Sequence, residues 1–365
     1  MTDYTKTALD LAQEAMYRTS PNPRVGCVLV NNAGTIIGQG STQRAGGAHA
    51  EVMALRDAEQ RGNSPQGATA YVTLEPCSHH GRTGPCCDAL IQAGITKVIA
   101  SIADPNPAVA GNGFARLRAA GIAVDVGQGA EASRELNLGF FSRMIRKKPW
   151  LRMKAAASLD GVTALTNGAS QWITGPAARA DGHAWRARAC AVLTGIGTVL
   201  ADNPRLDVRD VQTDRQPALV LVDSALAVPL DALLFAAKRP VYIYSAVAHE
   251  EKRRALEALG AIVITMPNNV GKVDLPAMVQ DLGRREINEL HVEAGYKLNG
   301  SLLREGLVDE LLVYLAPKLI GEGMGMAQMT PLAALSEAHA LSFHSVDRIG
   351  EDLRILARLQ GRDRF

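Results

Sequence analysis

Two short motifs rich in histidine and cysteine most constrain what this chain can fold into. His49-Ala-Glu51 is followed some two dozen residues later by Glu75-Pro-Cys77-Ser-His-His-Gly-Arg-Thr-Gly-Pro-Cys86-Cys87. One imidazole and two thiols make a three-ligand zinc site with a fourth position open to water, which is typical of catalytic rather than structural zinc. The fold is therefore expected to bring these distant residues to one point.

Glu51 has the chemistry to move protons beside such a metal. Zinc lowers the pKa of a bound water toward ~7. Removal of an exocyclic amine from a pyrimidine then needs a carboxylate that does not ligate the metal to relay the proton. Good helix formers follow His49, so His49 and Glu51 are predicted to lie in the first turn of a helix. H-x-E followed by P-C-x-x-C is the zinc-deaminase signature, although here eight residues separate Cys77 from Cys86.

The residues alone leave the third ligand and the role of the metal open. Cys86 is preferred because it begins a predicted helix and can point back toward Cys77, and Cys87 is the alternative. Three of the five cysteines fall within eleven residues, which in a chain without a secretion signal favours a metal over disulfides. Two other hypotheses compete: a deaminase of nucleosides or RNA bases with an unrelated second domain, and a structural-zinc module in which Glu51 is only a helix-start charge.

Length and pattern predict an α/β protein of two domains. A chain of 365 residues is long for a single core. A composition with 47% hydrophobic but only 4% aromatic residues suits buried parallel strands. Arg146-Lys-Lys-Pro149 interrupts the pattern between a predicted helix at 133–146 and a predicted strand at 150–157. The expected domains are therefore residues 1–146 and 147–365.

Charge and hydropathy exclude some classes of partner. The net charge is +2, and no basic tract with interleaved aromatics indicates nucleic-acid binding. No apolar run reaches the ~18 residues of a membrane span, and the first residues lack the features of a signal peptide. A cytoplasmic enzyme is expected.

The hydrophobic pattern predicts strands that end close to polar residues. In the first domain, strands are expected at 25–30, 35–40, 68–74 and 97–101, with helices at 4–18, from 49, and at 88–93. In the second, strands are expected at 150–157, 191–195, 218–223, 241–245, 262–265, 289–293, 310–315 and 355–359. Ligands of open α/β sheets bind where strands end.

The first domain resembles the deaminase half of the bifunctional riboflavin-biosynthesis deaminase/reductase family. The resemblance is carried by Pro21-Asn22-Pro23-Arg24-Val25-Gly26-Cys27, His49-Ala-Glu51, Thr73-Leu-Glu-Pro-Cys77-Ser-His-His-Gly-Arg82 and Asp104-Pro-Asn106-Pro. It implies a cytidine-deaminase-like fold, and in this family the long gap between the two cysteines is the rule. It also implies that the pyrimidine and its ribose phosphate are bound by Asn22, His79, Arg82 and Asn106.

The second domain resembles the reductase half of the same family, with a dihydrofolate-reductase-like fold. The matching segments are Lys154-Ala-Ala-Ala-Ser-Leu-Asp160-Gly, Ser170-Gln-Trp172-Ile-Thr, Arg186, Thr198-Val-Leu-Ala-Asp202-Asn-Pro-Arg-Leu206-Asp-Val-Arg209, Val222-Asp-Ser224 and Val292-Glu-Ala-Gly295. The resemblance implies that NADPH is bound by Ala156, Trp172, Thr198, Asp202, Ser224, Gly295, Tyr296, Lys297, Leu298, Asn299, Gly300 and Ser301. It implies that the ribotide is bound by Ser170, Arg186, Leu206, Arg209 and Glu293.

Without the resemblance, the signals for a reductase are weak. Gly195-Ile-Gly197 follows a strand but lacks the third glycine and the later acidic residue of a dinucleotide fingerprint. The loop at 295–301 is either a helix start that cradles a pyrophosphate or a plain turn. The glycine-rich segment 317–325 has no phosphate-loop Lys-Ser/Thr pair and is predicted to be a mobile surface segment.

Three polar residues are candidates for assisting hydride transfer. Reduction of a ribosylamine to a ribitylamine requires the sugar ring to open at C1′, so an acid or base is expected near that carbon. Lys154, Asp202 and Glu293 have suitable side chains, and the sequence does not choose among them. Lys154 is equally compatible with an exposed charge on an edge strand.

The sequence, read with this resemblance, predicts two consecutive reactions. The first domain is expected to deaminate 2,5-diamino-6-ribosylamino-4(3H)-pyrimidinone 5′-phosphate, with zinc on His49, Cys77 and Cys86 and with Glu51 as proton shuttle. The second is expected to reduce the ribosyl group to ribityl with NADPH, where the choice of NADPH over NADH rests on the resemblance alone. The expected partners are pyrimidine ribotides, without nucleic acid or membrane. The residues do not determine the oligomeric state, and a homo-oligomer is the expectation.

Overall fold

The computed structural model describes residues 3–79, 84–107 and 109–365. The chain forms two compact units, Met1–Arg146 and Lys147–Phe365. Within the described ranges, no helix combines the length and the apolar character needed to cross a bilayer.

The first unit is a five-stranded sheet with helices packed on it. Its helices are α1 (Tyr4–Glu14), α2 (Ala50–Gln60), α3 (Cys86–Gln92), α4 (Asn112–Ala119), α5 (Ala130–Leu136) and α6 (Leu138–Arg146). Its strands are β1 (Gly26–Val30), β2 (Ile36–Ser41), β3 (Thr69–Val72), β4 (Lys97–Ala100) and β5 (Ala123–Val126), in the order β2-β1-β3-β4-β5. The sequence pattern did not predict α4 and β5.

The single helix predicted over 133–146 is wrong, because two helices meet there at Asn137. The Asn137 side chain accepts a hydrogen bond from the Arg24 backbone N–H (2.8 Å) and donates one to the Arg24 carbonyl (2.9 Å). The Asn137 side chain thus hydrogen-bonds to the backbone of the segment before β1. This contact fixes Asn137 as the residue at which α5 ends and α6 begins.

The register of the strands places the loops that carry the predicted site residues at one edge of the sheet of the first unit. β1 runs antiparallel to both β2 and β3, with Gly26 opposite Ser41 and Cys27 opposite Val72, whereas β3 and β4 are parallel. The start of β1 therefore lies beside the ends of β2, β3 and β4. The segments before β1, after β2, after β3 and after β4 all emerge there, and these segments carry the predicted site residues.

Close packing fixes α2 on this sheet. A Cβ atom added to Gly40 of β2 would lie 2.5 Å from the Met53 Cβ and 2.6 Å from the Ala54 N. Because β2 has glycine at this point, the helix backbone approaches the strand closely. This contact holds the first turn of α2 at the edge where the loops meet.

The second unit is built on a nine-stranded sheet in the order β11-β10-β9-β8-β12-β6-β13-β16-β15. Its strands are β6 (Trp150–Ser158), β7 (Val162–Leu165), β8 (Ala191–Gly195), β9 (Ala218–Val222), β10 (Val241–Ser245), β11 (Ala261–Thr265), β12 (Glu289–Val292), β13 (Glu310–Ala316), β14 (Gly323–Gly325), β15 (Leu341–Ile349) and β16 (Asp352–Leu359). Its α-helices are α7 (Pro176–Arg188), α8 (Ile196–Asp202), α9 (Glu250–Ala258), α10 (Leu275–Arg284) and α11 (Tyr296–Arg304). The strands β7, β14 and β15 were not predicted, and β7 pairs with β14 in a separate two-stranded sheet.

The core of the second unit lies between the sheet and its helices. Leu290 and Val292 of β12 are fully buried against Met278, Leu282 and Leu302 of α10 and α11. Each such side chain contributes about 1.5–3 kcal/mol relative to an exposed position. The apolar packing holds the carboxyl ends of β8 and β12 in fixed positions.

Lys154 does not lie on an edge strand. β6 hydrogen-bonds to β12 on one side and to β13 on the other, so the interpretation of Lys154 as an edge-strand charge is wrong. The strands β9, β8, β12, β6 and β13 are mutually parallel, and their carboxyl ends meet at one edge. The polar residues of the second unit gather at this edge, as expected for an open α/β sheet.

Candidate active sites

Three predicted zinc ligands come together in the first unit. The His49 Nδ1 lies 3.6 Å from the Cys77 Sγ and 3.3 Å from the Cys86 Sγ. The ligand atoms of His49, Cys77 and Cys86 all lie within 4.8 Å of one another. His49 caps α2, Cys77 follows β3 and Cys86 begins α3, so three elements each supply one ligand.

The donor atoms fit a zinc ion. A tetrahedral zinc with nitrogen at ~2.1 Å and sulfur at ~2.3 Å holds these two atoms about 3.6 Å apart, close to the two distances from His49 to the cysteines. The Cys86 backbone N–H also donates to the Cys77 Sγ at 3.3 Å. The Cys86 thiol, His49 and this N–H together lower the pKa of Cys77, which favours the thiolate form that binds zinc.

Cys87 points away from this cluster. Its thiol donates to the backbone carbonyl of Pro76 (3.2 Å) and lies 3.5 Å from that of Gly113. Burial raises the pKa of Cys87 to about 12, which keeps the thiol protonated. The structure thus brings Cys86, and not Cys87, to His49 and Cys77.

Glu51 lies beside the three ligands without belonging to them. It sits in the first turn of α2 and is 3% exposed. Burial, and then the Cys77 thiolate, raise the pKa of Glu51 to about 7. A buried carboxyl group in this position can both take and give a proton.

Glu75 is a structural residue of the site that the sequence reasoning did not single out. Its carboxylate is 3% exposed and accepts backbone hydrogen bonds at both oxygens. The donors are the N–H groups of Asp104 (3.1 Å), Gly111 (3.0 Å), Gly113 (2.9 Å) and Phe114 (3.4 Å). Glu75 thereby fixes the loop between β4 and α4. The available signal was a carboxylate directly after a buried strand and before Pro76-Cys77.

The predicted ligands of the first substrate lie on the loops around this cluster. Asn22 is half-buried in the segment before β1, and Asn106 is half-buried in the loop held by Glu75. His79 is exposed, two residues after Cys77. Arg82 lies outside the described residues.

In the second unit, Arg186 and Glu293 form a two-point ion pair at the end of β12. The Arg186 Nε donates to the Glu293 Oε1 at 2.6 Å, and its Nη2 donates to the Oε2 at 2.9 Å. Burial alone raises the pKa of Glu293, but the Arg186 guanidinium outweighs it and lowers that pKa well below its usual range. Glu293 is therefore ionised at neutral pH.

Lys154 lies close enough to Glu293 and Arg186 for their charges to act on it. Burial lowers the pKa of Lys154, and the Glu293 charge offsets part of this effect. Asp202, the third candidate for proton transfer, ends α8 and is exposed. The structure therefore groups Lys154 with Glu293 at one sheet edge.

Two arginines among the predicted ribotide ligands of this unit contact Asp207. Arg186 donates to the Asp207 carbonyl (2.5 Å), and Arg209 donates to its carboxylate (2.6 Å). Leu206 packs its side chain in the core, so its contact with a ligand would have to come from the backbone. Ser170 is half-buried in the loop after β7.

Most of the segments that the resemblance assigns to NADPH lie at the ends of parallel strands. The Gly295 N–H donates to the Thr198 Oγ1 at 3.1 Å, which joins the first turn of α8 to the loop after β12. Ser224 follows β9 and is half-buried, and Ala156 lies on β6 opposite Tyr314. Gly295 is the residue before α11, where backbone N–H groups can bind a phosphate.

The remaining cofactor residues differ in what they face. Trp172 is 65% exposed, with the Arg179 guanidinium 4.6 Å from its ring centroid, and a flat exposed ring of this kind fits a dinucleotide. Asn299 and Gly300 are buried and contact residues 326–328. Tyr296, Leu298 and Ser301 are half-buried, and Lys297 is exposed. The residues present fit NADPH, although Asn299 and Gly300 face protein.

Two family models cover most of the chain. The zinc-binding region of cytidine and deoxycytidylate deaminases matches residues 1–102, and the RibD C-terminal domain matches residues 149–355. The riboflavin biosynthesis protein RibD of Escherichia coli (strain K12) is 46% identical over 364 residues, which cover 96% of this chain and 97% of that protein. The RibD of Aquifex aeolicus is 40% identical and covers 97% of both chains.

Solved structures give the same relationship. Acinetobacter baumannii RibD superposes with a TM-score of 0.89 at 38% identity, covering 98% of each chain. A structure from Thermotoga maritima, described as a diaminohydroxyphosphoribosylaminopyrimidine deaminase/5-amino-6-(5-phosphoribosylamino)uracil reductase, superposes with a TM-score of 0.86 at 31% identity. It covers 98% of this chain and 97% of that one.

These similarities confirm the predicted fold class, the two activities on small molecules, and zinc and NADPH as cofactors. The hypothesis of an unrelated second domain is wrong, because the C-terminal domain matches the same family as the whole chain. The hypothesis of a structural-zinc module is wrong, because residues 1–102 match the zinc-binding region of cytidine and deoxycytidylate deaminases. With both halves matched, the chain belongs to the family of bifunctional riboflavin-biosynthesis proteins called RibD.

Proposed function

We propose that residues 1–146 release ammonia from the diaminopyrimidinone ribotide and that residues 147–365 then reduce the ribosyl group of the product. The convergence of His49, Cys77 and Cys86 beside the buried Glu51 carries the first half of the proposal. The grouping of Lys154, Arg186 and Glu293 at the carboxyl edge of a parallel sheet carries the second.

For the deamination, the ligand set is His49, Cys77 and Cys86. Zinc bound by these residues supplies a water that is activated for attack on the amine-bearing ring carbon. Glu51 takes a proton from that water, passes it to the ring nitrogen, and finally delivers a proton to the departing ammonia. The position of Glu51 in the first turn of α2 suits this shuttle, because the same turn begins at the ligand His49.

For the reduction, NADPH supplies a hydride to C1′ of the opened ribosyl group. The ring oxygen must gain a proton when the sugar opens, and a half-buried lysine with a lowered pKa can give and take that proton. We assign this role to Lys154. Glu293 and Arg186 position the sugar hydroxyls and phosphate, and Arg209 adds a second cation for the phosphate.

The two reactions can be separated by withholding NADPH. With the diaminopyrimidinone ribotide alone, the protein is expected to release ammonia, and one oxygen from heavy-oxygen water is expected to replace the lost amine on the attacked ring carbon. Addition of NADPH is expected to convert this product to the ribityl compound, as seen by mass spectrometry. Reduction of the starting ribotide without loss of ammonia would contradict the proposed order.

We propose that two copies of the chain associate through β15. Three apolar side chains on one face of this edge strand are exposed: Leu341 (40%), Phe343 (74%) and Val346 (55%). They continue the sheet face that α10 and α11 cover further in, since their partners on β16 are Leu359, Ala357 and Ile355. An apolar row of this kind on an edge strand suits a second protein surface. Phe343→Glu is expected to give monomers in light scattering, whereas an unchanged molar mass would contradict the proposal.

We propose that the protein works in the cytoplasm. The proposed substrates are phosphorylated, and none of the five cysteines, all of which the structure describes, is part of a disulfide, as in a reducing compartment. Fractionation of cells is expected to leave the protein in the cytosolic fraction, and recovery in a periplasmic or membrane fraction would contradict this location.

A further inference from the structure

The glycine-rich segment after β13 is bound to the rest of the second unit at both ends. We call residues 317–328 the strap. At its beginning, Asp160 accepts hydrogen bonds from the backbone N–H groups of Ile320 (3.1 Å) and Gly321 (2.7 Å). The Lys318 Nζ donates to the backbone carbonyls of Trp172 (3.2 Å) and Ile173 (2.7 Å).

The strap ends against the first turns of α11. The Asn299 Nδ2 donates to the Met326 carbonyl at 2.9 Å, and the Gln328 N–H donates to the Tyr296 carbonyl at 2.9 Å. The Arg304 Nη1 donates to the Gln328 carbonyl at 2.5 Å. A Cβ atom added to Gly300 would lie 2.1 Å from the same carbonyl, so the helix and the strap touch directly.

Between these ends the strap forms β14 and pairs with β7. The Thr163 Oγ1 donates to the carbonyls of Met324 (3.0 Å) and Gly325 (3.1 Å). A Cβ atom added to Gly323 would lie 2.4 Å from the Ala164 carbonyl, so this position accepts only glycine without a shift of β7. The strap is thus fixed along its length, although its side chains are mostly exposed.

The two ends of the strap meet the two segments that the proposed function assigns to NADPH. Lys318 holds the backbone at Trp172, whose ring is 65% exposed, and residues 326–328 hold the start of α11. We propose that the strap sets the distance between Trp172 and α11, and that Lys318 and Asp160 are positioning residues for NADPH. This inference rests on the proposed function of the second unit.

Two features of the contacts favour positioning over simple packing. The Lys318 ammonium donates to the main-chain carbonyls of two consecutive residues, Trp172 and Ile173, so it fixes the backbone that carries the ring. The ring is meanwhile stacked against the Arg179 guanidinium, which itself donates to the Thr174 carbonyl at 2.8 Å. The Trp172 side chain is therefore held in place while most of its surface stays open to a ligand.

The test compares Lys318→Met and Asp160→Asn with the unaltered protein in steady-state reduction of the deaminated ribotide. Both variants are expected to raise the KM for NADPH about tenfold, as expected for the loss of charge-assisted hydrogen bonds. The KM for the ribotide and the rate of ammonia release should remain unchanged. Lys318→Arg, which keeps the charge and donors, should restore most of the NADPH affinity. Lys252→Met, at a half-buried position of α9, is the matched control.

An NADPH KM within twofold of the unaltered value in both Lys318→Met and Asp160→Asn would overturn the inference. If either variant shows no turnover, equilibrium dialysis with NADPH decides: weakened binding supports the inference, and unchanged binding overturns it. An unaltered protein that releases ammonia but never oxidises NADPH would overturn the proposed reductase function and this inference with it.

Discussion

The Arg186 guanidinium holds the Glu293 carboxylate with two hydrogen bonds, one to each oxygen, at 2.6 and 2.9 Å. Both side chains are largely buried. A buried carboxylate depends on its cationic neighbours to stay ionised, and Arg186 is the one that hydrogen-bonds to both oxygens of Glu293. The state of Glu293 therefore reports directly on the electrostatics of the proposed reductase site.

We expect Arg186→Met to move the acid limit of NADPH oxidation to higher pH. In the unaltered protein the pKa of Glu293 is depressed. The ion pair therefore contributes its full stabilising free energy at any pH above the ordinary pKa of glutamate, and this contribution is lost only as the pH falls through the depressed pKa. Without Arg186, the burial of the Glu293 carboxylate becomes the largest influence on its pKa, and that pKa rises. The acid limb of the rate profile should shift up by about one pH unit or more. Arg254→Met, exposed on α9, serves as control, and an unchanged acid limb would contradict this account.

Glu51→Gln should abolish ammonia release while zinc remains bound. The amide keeps the size of the side chain but cannot accept and return a proton, and proton transfer of this kind contributes about 10²–10⁴-fold to rates. Zinc content is measured by atomic absorption and ammonia by a coupled assay. Glu59→Gln, an exposed carboxylate on the same helix, should leave both unchanged. Retention of more than about a tenth of the ammonia-release rate in Glu51→Gln would exclude the shuttle role.

Cys86→Ser and Cys87→Ser should differ sharply in zinc content. Cys86 lies 3.3 Å from His49, whereas the Cys87 thiol donates to a backbone carbonyl. The first variant is expected to lose zinc and ammonia release, because a serine hydroxyl is a poorer ligand for zinc than a cysteine thiolate. The second should keep one zinc per chain. Zinc loss from Cys87→Ser alone would mean that the ligand assignment is wrong.

Glu75→Gln should destabilise the first unit and weaken substrate binding. The carboxylate accepts four backbone hydrogen bonds, two near each oxygen, and an amide has only one oxygen to offer. Loss of partners for buried N–H groups costs about 1–3 kcal/mol of the free energy of unfolding. We expect a lower Tm and a raised KM for the diaminopyrimidinone ribotide, because Asn106 lies on the loop that Glu75 holds. Wild-type values for both would show that the loop is fixed by other contacts.

The centre of the first site could be predicted from sequence because its residue types are rare and restrictive. A histidine, two cysteines and a glutamate at H-x-E and P-C spacing have few alternatives to a metal, and the structure brings His49, Cys77 and Cys86 together. The preference for Cys86 over Cys87 followed from the start of α3, where only one of two adjacent side chains can point back toward Cys77. Helix geometry thus supplied information that composition could not.

Features that depend on distant contacts could not be predicted in the same way. Asn137 breaks a continuous helical pattern only because Arg24, more than a hundred residues earlier, pairs with it. Lys154 was compatible with an edge strand until the neighbours of β6 were known. The strap had a surface-loop composition, and its anchoring by Asp160 and Lys318 depends on hydrogen bonds that no local pattern signals. In the second unit, moreover, the reductase residues were assigned by resemblance rather than by spacing.

The most direct test of the account follows both reactions in one purified sample. The protein is given the diaminopyrimidinone ribotide and NADPH, with zinc present or removed by a chelator, and ammonia and NADPH oxidation are recorded together. We expect ammonia to appear first and NADPH oxidation to follow, with both lost on chelation and NADPH oxidation restored by the deaminated ribotide. Absence of both activities from the zinc-loaded protein would contradict the substrate assignment.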